Sequence, residues 1–298
     1  MKKGRTVMKK MKKLTALCLC VLMLLGSLSC AAFAEEKEIY LVLGDSIGYG
    51  SGIINSKEAC YGKIVADTNG YDYSNQAIPG HTTQNLLDRL EIDEVKEDVI
   101  KADIISLSIG GNDFLMNNLY GLMYDAMVVG DYSKFDEIGN KFYNNFSLIV
   151  EKIRALNSDA VILMQTLYNP QSGYLRAPYQ QGADRINAAI NRYSENNPGE
   201  IIIVDVGVAL GDDMENYASD CVHPSAKGNE EIAKVVLSEI KKLNPNAKTE
   251  PVIAVKGEDI GNVSFAGMIN SMGVFFHILS VILGPIYRFI ARIPMPYM

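Results

Sequence analysis

The sequence predicts an α/β fold in which a parallel sheet is covered by helices on both faces. Three observations predict it. Compact apolar runs of strand length recur along the chain. Stretches with apolar residues at helical spacing separate them. The 298-residue chain is long enough for one sizeable α/β domain and shows no internal repeat or low-complexity segment. Strands alternating with helices imply parallel pairing, and parallel strands buried on both faces read as continuous apolar runs.

Each element follows from its own residues. Residues 38–43 form the first expected strand, ending at Gly44. A further short strand is expected near 71–75, then strands at 103–109, 160–165 and 201–205, each bounded by turn or polar residues. Helices are expected at 60–68, 82–90, 135–156, 179–193 and 225–243. Pro224 and Ser225 mark the start of the last helix, and Asn244-Pro245 ends it.

The two ends read differently from the middle. Seven basic residues, from Lys2 to Lys13, precede an apolar run at 14–28, and Ala32-Phe33-Ala34 supplies small residues for cleavage. Residues 1–34 therefore read as a secretory signal peptide, with a retained membrane anchor or a lipid on Cys30 as alternatives. Loss of the seven basic residues carries the net charge from −7 to −14. So acidic a surface argues against nucleic acid as a partner and suits an extracytoplasmic protein.

Residues 35–244 are expected to form the catalytic domain and the polar stretch 245–260 a linker. From Gly261 to Tyr287 there is no charged residue, and Arg288 and Arg292 follow. The tail at 261–298 is long and apolar enough for a membrane anchor, while Asn270, His277 and Pro285 suit an amphipathic helix on the membrane surface or on the domain.

Ser46, in Gly44-Asp45-Ser46-Ile47-Gly48, follows the first strand at once. Loops at the carboxyl ends of parallel strands line the site in such sheets. Serine needs a base to act as a nucleophile. Histidines are few: His81, His223 and His277. His223 lies three residues after Asp220, so the aspartate can fold back and hold one ring nitrogen while the other accepts a proton. His81 and His277 have no orienting carboxylate in sequence and read as structural or packing residues. Scattered histidines give no zinc spacing, and no cofactor motif is present. Gly80, at a loop-to-helix turn, and Asn112, in Gly110-Gly111-Asn112-Asp113, are candidate oxyanion donors. Cys60 and Cys221 flank the two catalytic segments, which makes them a candidate disulfide in an exported chain.

Taken together and in this order, GDSI at 44–47, Gly80 within NQAIPGHT, GGND at 110–113 and DCVHP at 220–224 resemble the SGNH hydrolase superfamily, the GDSL-type esterases and lipases. The resemblance implies a flavodoxin-like three-layer α/β/α sandwich. It implies Ser46 as nucleophile, His223 as base and Asp220 as its partner. It further implies Ser46, Gly80 and Asn112 as the oxyanion hole. Ile47 stands where the family usually has Leu. Cys221 and everything after Pro245 fall outside the pattern. The same serine segment fits the G-x-S-x-G elbow of α/β-hydrolases, but that fold needs several strands before its nucleophile, and only one is available here.

The reading that results is a serine carboxylic ester hydrolase acting outside the cytoplasm through an acyl-serine. An acetylated carbohydrate and a lipid are its two candidate ester substrates. A non-catalytic cell-surface binding or scaffolding protein on the same fold is the alternative. Residues 114–156 are expected to frame the pocket.

Overall fold

The computed structural model describes residues 37–261 and 264–290. The expected signal peptide and Arg292 lie outside the described residues. Five strands form one parallel sheet: β1 (Ile39–Gly44), β2 (Asp72–Asn75), β3 (Ile104–Ser108), β4 (Val161–Gln165) and β5 (Ile202–Val204). Their spatial order is β2-β1-β3-β4-β5. This is the flavodoxin-like order, whose switch point lies between β1 and β3. Register places Val42 beside Ser106 and Gly44 beside Ser108, so both chains leave the sheet at the same edge.

The helices used below are α1 (Ser46–Tyr49), α2 (Tyr61–Asn69), α3 (Thr83–Arg89), α4 (Asp93–Lys101), α5 (Gly111–Leu115), α6 (Leu119–Tyr124), α7 (Ser133–Leu156), α8 (Arg176–Asn196), α9 (Ala226–Leu243) and α10 (Ser264–Ile290). Strand alternation sorts the core into two layers. Leu41, Leu43, Ile105, Leu107, Ile162 and Met164 face one way, against α3, α4, α7 and α8. Tyr40, Val42, Ile104 and Leu163 face the other, against α2 and α9. Every one of these strand residues is nearly or fully buried. Two-sided burial explains why the strands read as unbroken apolar runs.

All five expected strands and all five expected helices are present, with ends shifted by a few residues. The α4 helix was not anticipated. It is rich in charge, and only Val95 and Val99 reach the core, too few to announce a period. The α6 helix and the π-turn Asp125–Val129 that follows it were also missed.

The segment 245–260 does not hang free as a linker. The Asn69 side chain spans Lys248 through both its amide nitrogen and its oxygen. Thr68 Oγ1 accepts from Val252 N, and Asn55 Oδ1 accepts from Glu258 N. Ile53 and Asp259 form an antiparallel bridge. Polar side chains on α2 and its approach thus tie down a stretch whose composition alone suggested mobility.

The tail forms α10, which packs on the domain. Met272 and Phe276 are buried in the same core as α7 and α8. Tyr124 and Tyr287 hydroxyls meet at 2.6 Å, and the His277 ring stacks on Tyr174 at 3.8 Å. The candidate Cys60–Cys221 disulfide is not formed. Both are free thiols: Cys60 Sγ lies 3.3 Å from Tyr73 Oη, whereas Cys221 Sγ turns toward the Ser219 carbonyl. Nearness of two loops does not align two thiols.

Candidate active site

The serine turn is fixed by its glycines and by Asp45. Gly44 has φ +130°, and a Cβ there would lie 1.9 Å from the Ser108 carbonyl oxygen. That close approach lets Asp45 N donate to Ser108 O at 2.9 Å, stitching the turn to β3. Asp45 then caps α1, its Oδ1 accepting from Ile47 N at 3.0 Å. Ser46 is the first residue of that one-turn helix, so its own N–H has no intrahelical acceptor. Burial pushes the Asp45 carboxyl up to about 7, against the opposing hydrogen bond from Ile47 N–H and the nearby His223 ring.

The expected base, His223, lies in the loop before α9. Asp220 Oδ1 accepts from Val222 N at 2.9 Å and from His223 N at 3.0 Å. Asp220 Oδ2 lies 2.6 Å from His223 Nδ1. Burial pushes the Asp220 carboxyl up, but the His223 ring and the two backbone N–H groups outweigh it and hold it below the usual range. With Nδ1 engaged, Nε2 is the ring nitrogen left to take a proton. The loop is held from outside as well: Tyr168 Oη donates to Val222 O at 2.8 Å, and Gln171 Nε2 donates to Cys221 O at 2.6 Å. Cys221 carries φ +59°, a left-handed conformation rare for a residue with a side chain. Neither Tyr168, Gln171 nor the strain at Cys221 was legible as part of this loop, because the partners lie about fifty residues apart.

The expected oxyanion donors, Gly80 and Asn112, lie on two further segments. Asn112 Nδ2 donates to His81 O at 3.0 Å, which orients the amide beside Gly80. Asp113 accepts from Thr83 N at 3.0 Å and from Thr83 Oγ1 at 2.5 Å, locking the start of α3 to α5. Asn75 holds the serine turn from a third side, donating to Gly48 O at 2.9 Å. Asp113 and Asn75 were in view as members of motifs, but without these partners. His81 contributes only its carbonyl; burial and nearby Arg89 lower the pKa of its ring.

Ser46, Gly80, Asn112, Asp220 and His223 all line one cavity of about 380 Å³. Among the described residues the Ser46 hydroxyl makes no hydrogen bond. Such contacts commonly tighten only around a bound substrate. Most of the rest of the wall is apolar, with Leu115, Leu119, Met123, Leu175 and Met272 prominent, and Asp45 and Gln171 among its polar members. Of the expected pocket frame at 114–156, Leu115, Met116, Leu119 and Met123 line the cavity; α7 does not.

The sequence pattern of the GDSL-like lipase/acylhydrolase family matches residues 42–231. The chain belongs to that family. GDSL-family membership makes it a carboxylic ester hydrolase. The spore germination lipase LipC of Bacillus licheniformis is 28% identical over 208 residues, covering 65% of this chain and 92% of LipC. The crystal structure of the lipase Lip_vut3 from a goat rumen metagenome is 25% identical, with a TM-score of 0.56, and covers 68% of this chain and 97% of that one. An acetyl xylan esterase from Geobacillus stearothermophilus shares the GDSL-type fold at a TM-score of 0.52 and 21% identity, covering 72% of this chain and 96% of its own. Lipid and sugar esters thus meet one scaffold, so the fold does not select the substrate.

Proposed function

We propose that the protein hydrolyses an extracytoplasmic ester through an acyl-Ser46 intermediate. Ser46 Oγ attacks the ester carbonyl carbon while His223 Nε2 takes the hydroxyl proton. The carbonyl oxygen becomes an oxyanion held by the Ser46 and Gly80 N–H groups and the Asn112 amide. Asp220 stabilises the imidazolium through Nδ1. Collapse breaks the carbon–oxygen bond, and His223 returns the proton to the leaving alcohol. Water, deprotonated by the same imidazole, then releases the acid and restores Ser46.

The observation that carries this reading is the Asp220–His223 pair, at 2.6 Å, in the wall of the cavity that Ser46 also lines. The leader sequence supports action outside the cytoplasm. The apolar C-terminal helix supports contact with a membrane. LipC and Lip_vut3, both named lipases, support a lipid ester over an acetylated sugar.

The test is hydrolysis of a p-nitrophenyl ester by protein lacking the leader. Ser46→Ala is expected to lower kcat by about 10³-fold or more with folding intact. A fluorophosphonate should label the parent and not the variant. A Ser46→Ala protein as active as its parent would remove the reading, and a folded parent that neither labels nor turns over would point to a binding role.

A further inference from the structure

The family pattern ends at residue 231, but the cavity wall does not. Met272, on α10, lines the cavity together with Leu115, Leu119 and Leu175. The helix is anchored there: Phe276 is 3% exposed, and its ring lies 6.3 Å from that of Tyr120. An acetyl group would leave most of this wall uncovered. A longer acyl chain would cover it.

A second apolar stripe runs along the same helix on the side away from the domain. Phe275, Ile278, Ile282 and Ile286 recur at spacings of three and four, flanked by Val274 and Val281, and all are exposed. An ordinary surface helix carries one apolar and one polar face. Here the inner face is packed on the core and the outer face is apolar too. No charged residue interrupts positions 264–287. Exposed side chains also stand near the cavity: Met116, a lining residue, is 66% exposed, and Tyr120 and Tyr174, both half exposed, pack on Phe276 and His277 of the same helix. Tyrosines at the edge of an apolar surface suit the headgroup region of a bilayer. The segment Ser271–Arg288 is long and apolar enough to cross a membrane. Spanning would, however, pull Met272 and Phe276 out of the core in which they are buried. Lying in the interface leaves that packing intact.

We infer that α10 is both a wall of the acyl pocket and the surface that docks the pocket on a lipid layer, so that the ester attacked carries a medium or long acyl chain and is drawn from that layer. This rests on Ser46 being the nucleophile. Because the domain is acidic, docking is by apolar insertion rather than by charge.

Two measurements test it on protein that lacks the leader 1–34 and keeps all that follows. In the first, Ser46→Ala protein is mixed with neutral phosphatidylcholine vesicles at low and high salt. It is expected to float with the vesicles under both conditions. Adding Ile278→Asp and Ile282→Asp should weaken vesicle affinity by about tenfold or more, with the thermal unfolding curve unchanged. Retained affinity in that variant overturns the docking surface. So does a parent that self-associates and ignores vesicles, which would assign the stripe to a second copy.

In the second, p-nitrophenyl esters from acetyl to decanoyl are compared. The parent's kcat/KM should rise about fourfold per added methylene until the pocket is full. Met272→Trp should lower the decanoyl-to-butanoyl ratio by about tenfold or more. If that variant does not fold, Met272→Ala should move the optimum to a longer chain. A profile highest at acetyl, in a protein that Ser46→Ala inactivates, overturns the acyl wall and leaves the nucleophile standing. Hydrolysis that survives Ser46→Ala removes the nucleophile instead, while vesicle binding is read without turnover.

Discussion

The two sides of the cavity are built by different physics. On the proposed reactive side, short polar contacts hold the residues around Ser46: Asp220 to His223, Asn112 to His81, Asp113 to Thr83, and Asp45 to Ile47. On the proposed acyl side, Leu115, Met123, Leu175 and Met272 line the cavity with side chains that other apolar residues could replace. Directional bonds demand particular residue types at particular positions. Apolar packing demands volume, and cores tolerate exchange when volume is kept. The first side should therefore fail sharply on substitution, and the second gradually.

The largest expected effect sits on the polar side. Asp220→Asn keeps the shape of the carboxylate but loses its charge and one acceptor, so His223 takes the wrong tautomer. We expect kcat/KM to fall by about 10³- to 10⁴-fold with little change in melting temperature. Met123→Leu, a volume-conserving change on the acyl wall, should stay within about threefold on the same ester. Steady-state kinetics on both variants decide the matter. Comparable losses would mean that the acyl wall is as exacting as the triad.

The same contrast explains what was legible. The strands could be read from local sequence, and the five motif residues could be singled out as an ordered set; the order of the sheet and the one cavity that the five line come from the structure. Ser46 follows a strand, and Asp220 and His223 share one turn. The helix α4 could not be read, since two valines among charged residues give no period. Nor could the Asn69 and Asn55 bonds that bind 245–260 to the domain, because an asparagine does not announce a partner some 180 to 200 residues away. Met272 was visible only as part of an apolar tail. Its place in the cavity depends on how α10 returns across α6 and the segment Gly173–Leu175, a fact of tertiary packing.

A second pair of substitutions tests the contrast at the backbone. At Gly44 a Cβ would meet a backbone carbonyl oxygen at 1.9 Å, with φ at +130°. At Gly273 on α10 it would meet Leu175 Cγ at 3.0 Å, a side chain that can move. Gly44→Ala should cost about 3 kcal/mol or more in denaturant unfolding and displace Ser46. Gly273→Ala should fall within about 1 kcal/mol of neutral, since the gain in helix propensity offsets the shift of Leu175. Equal losses at the two sites would show that α10 is held as tightly as the serine turn.

The smallest effect separates reactivity from stability on the polar side itself. The buried Asp45 carboxyl titrates at about 7, against an ordinary value of 3.8. Between those values the folded protein keeps a proton that the unfolded chain releases. Raising the pH through this window therefore erodes stability, and the erosion is complete above pH 7. Some three units correspond to an upper bound of roughly 4 kcal/mol. Asp45→Asn retains an oxygen to accept from Ile47 N and has no charge to bury. The variant should gain little over its parent near pH 4 and should melt several degrees higher than the parent at pH 8. Because other titrating groups are common to both proteins, the difference in melting temperature isolates Asp45. An offset that does not grow from pH 4 to pH 8 would mean that Ile47 N–H and the His223 ring hold Asp45 ionised, and that the serine turn carries no buried charge penalty.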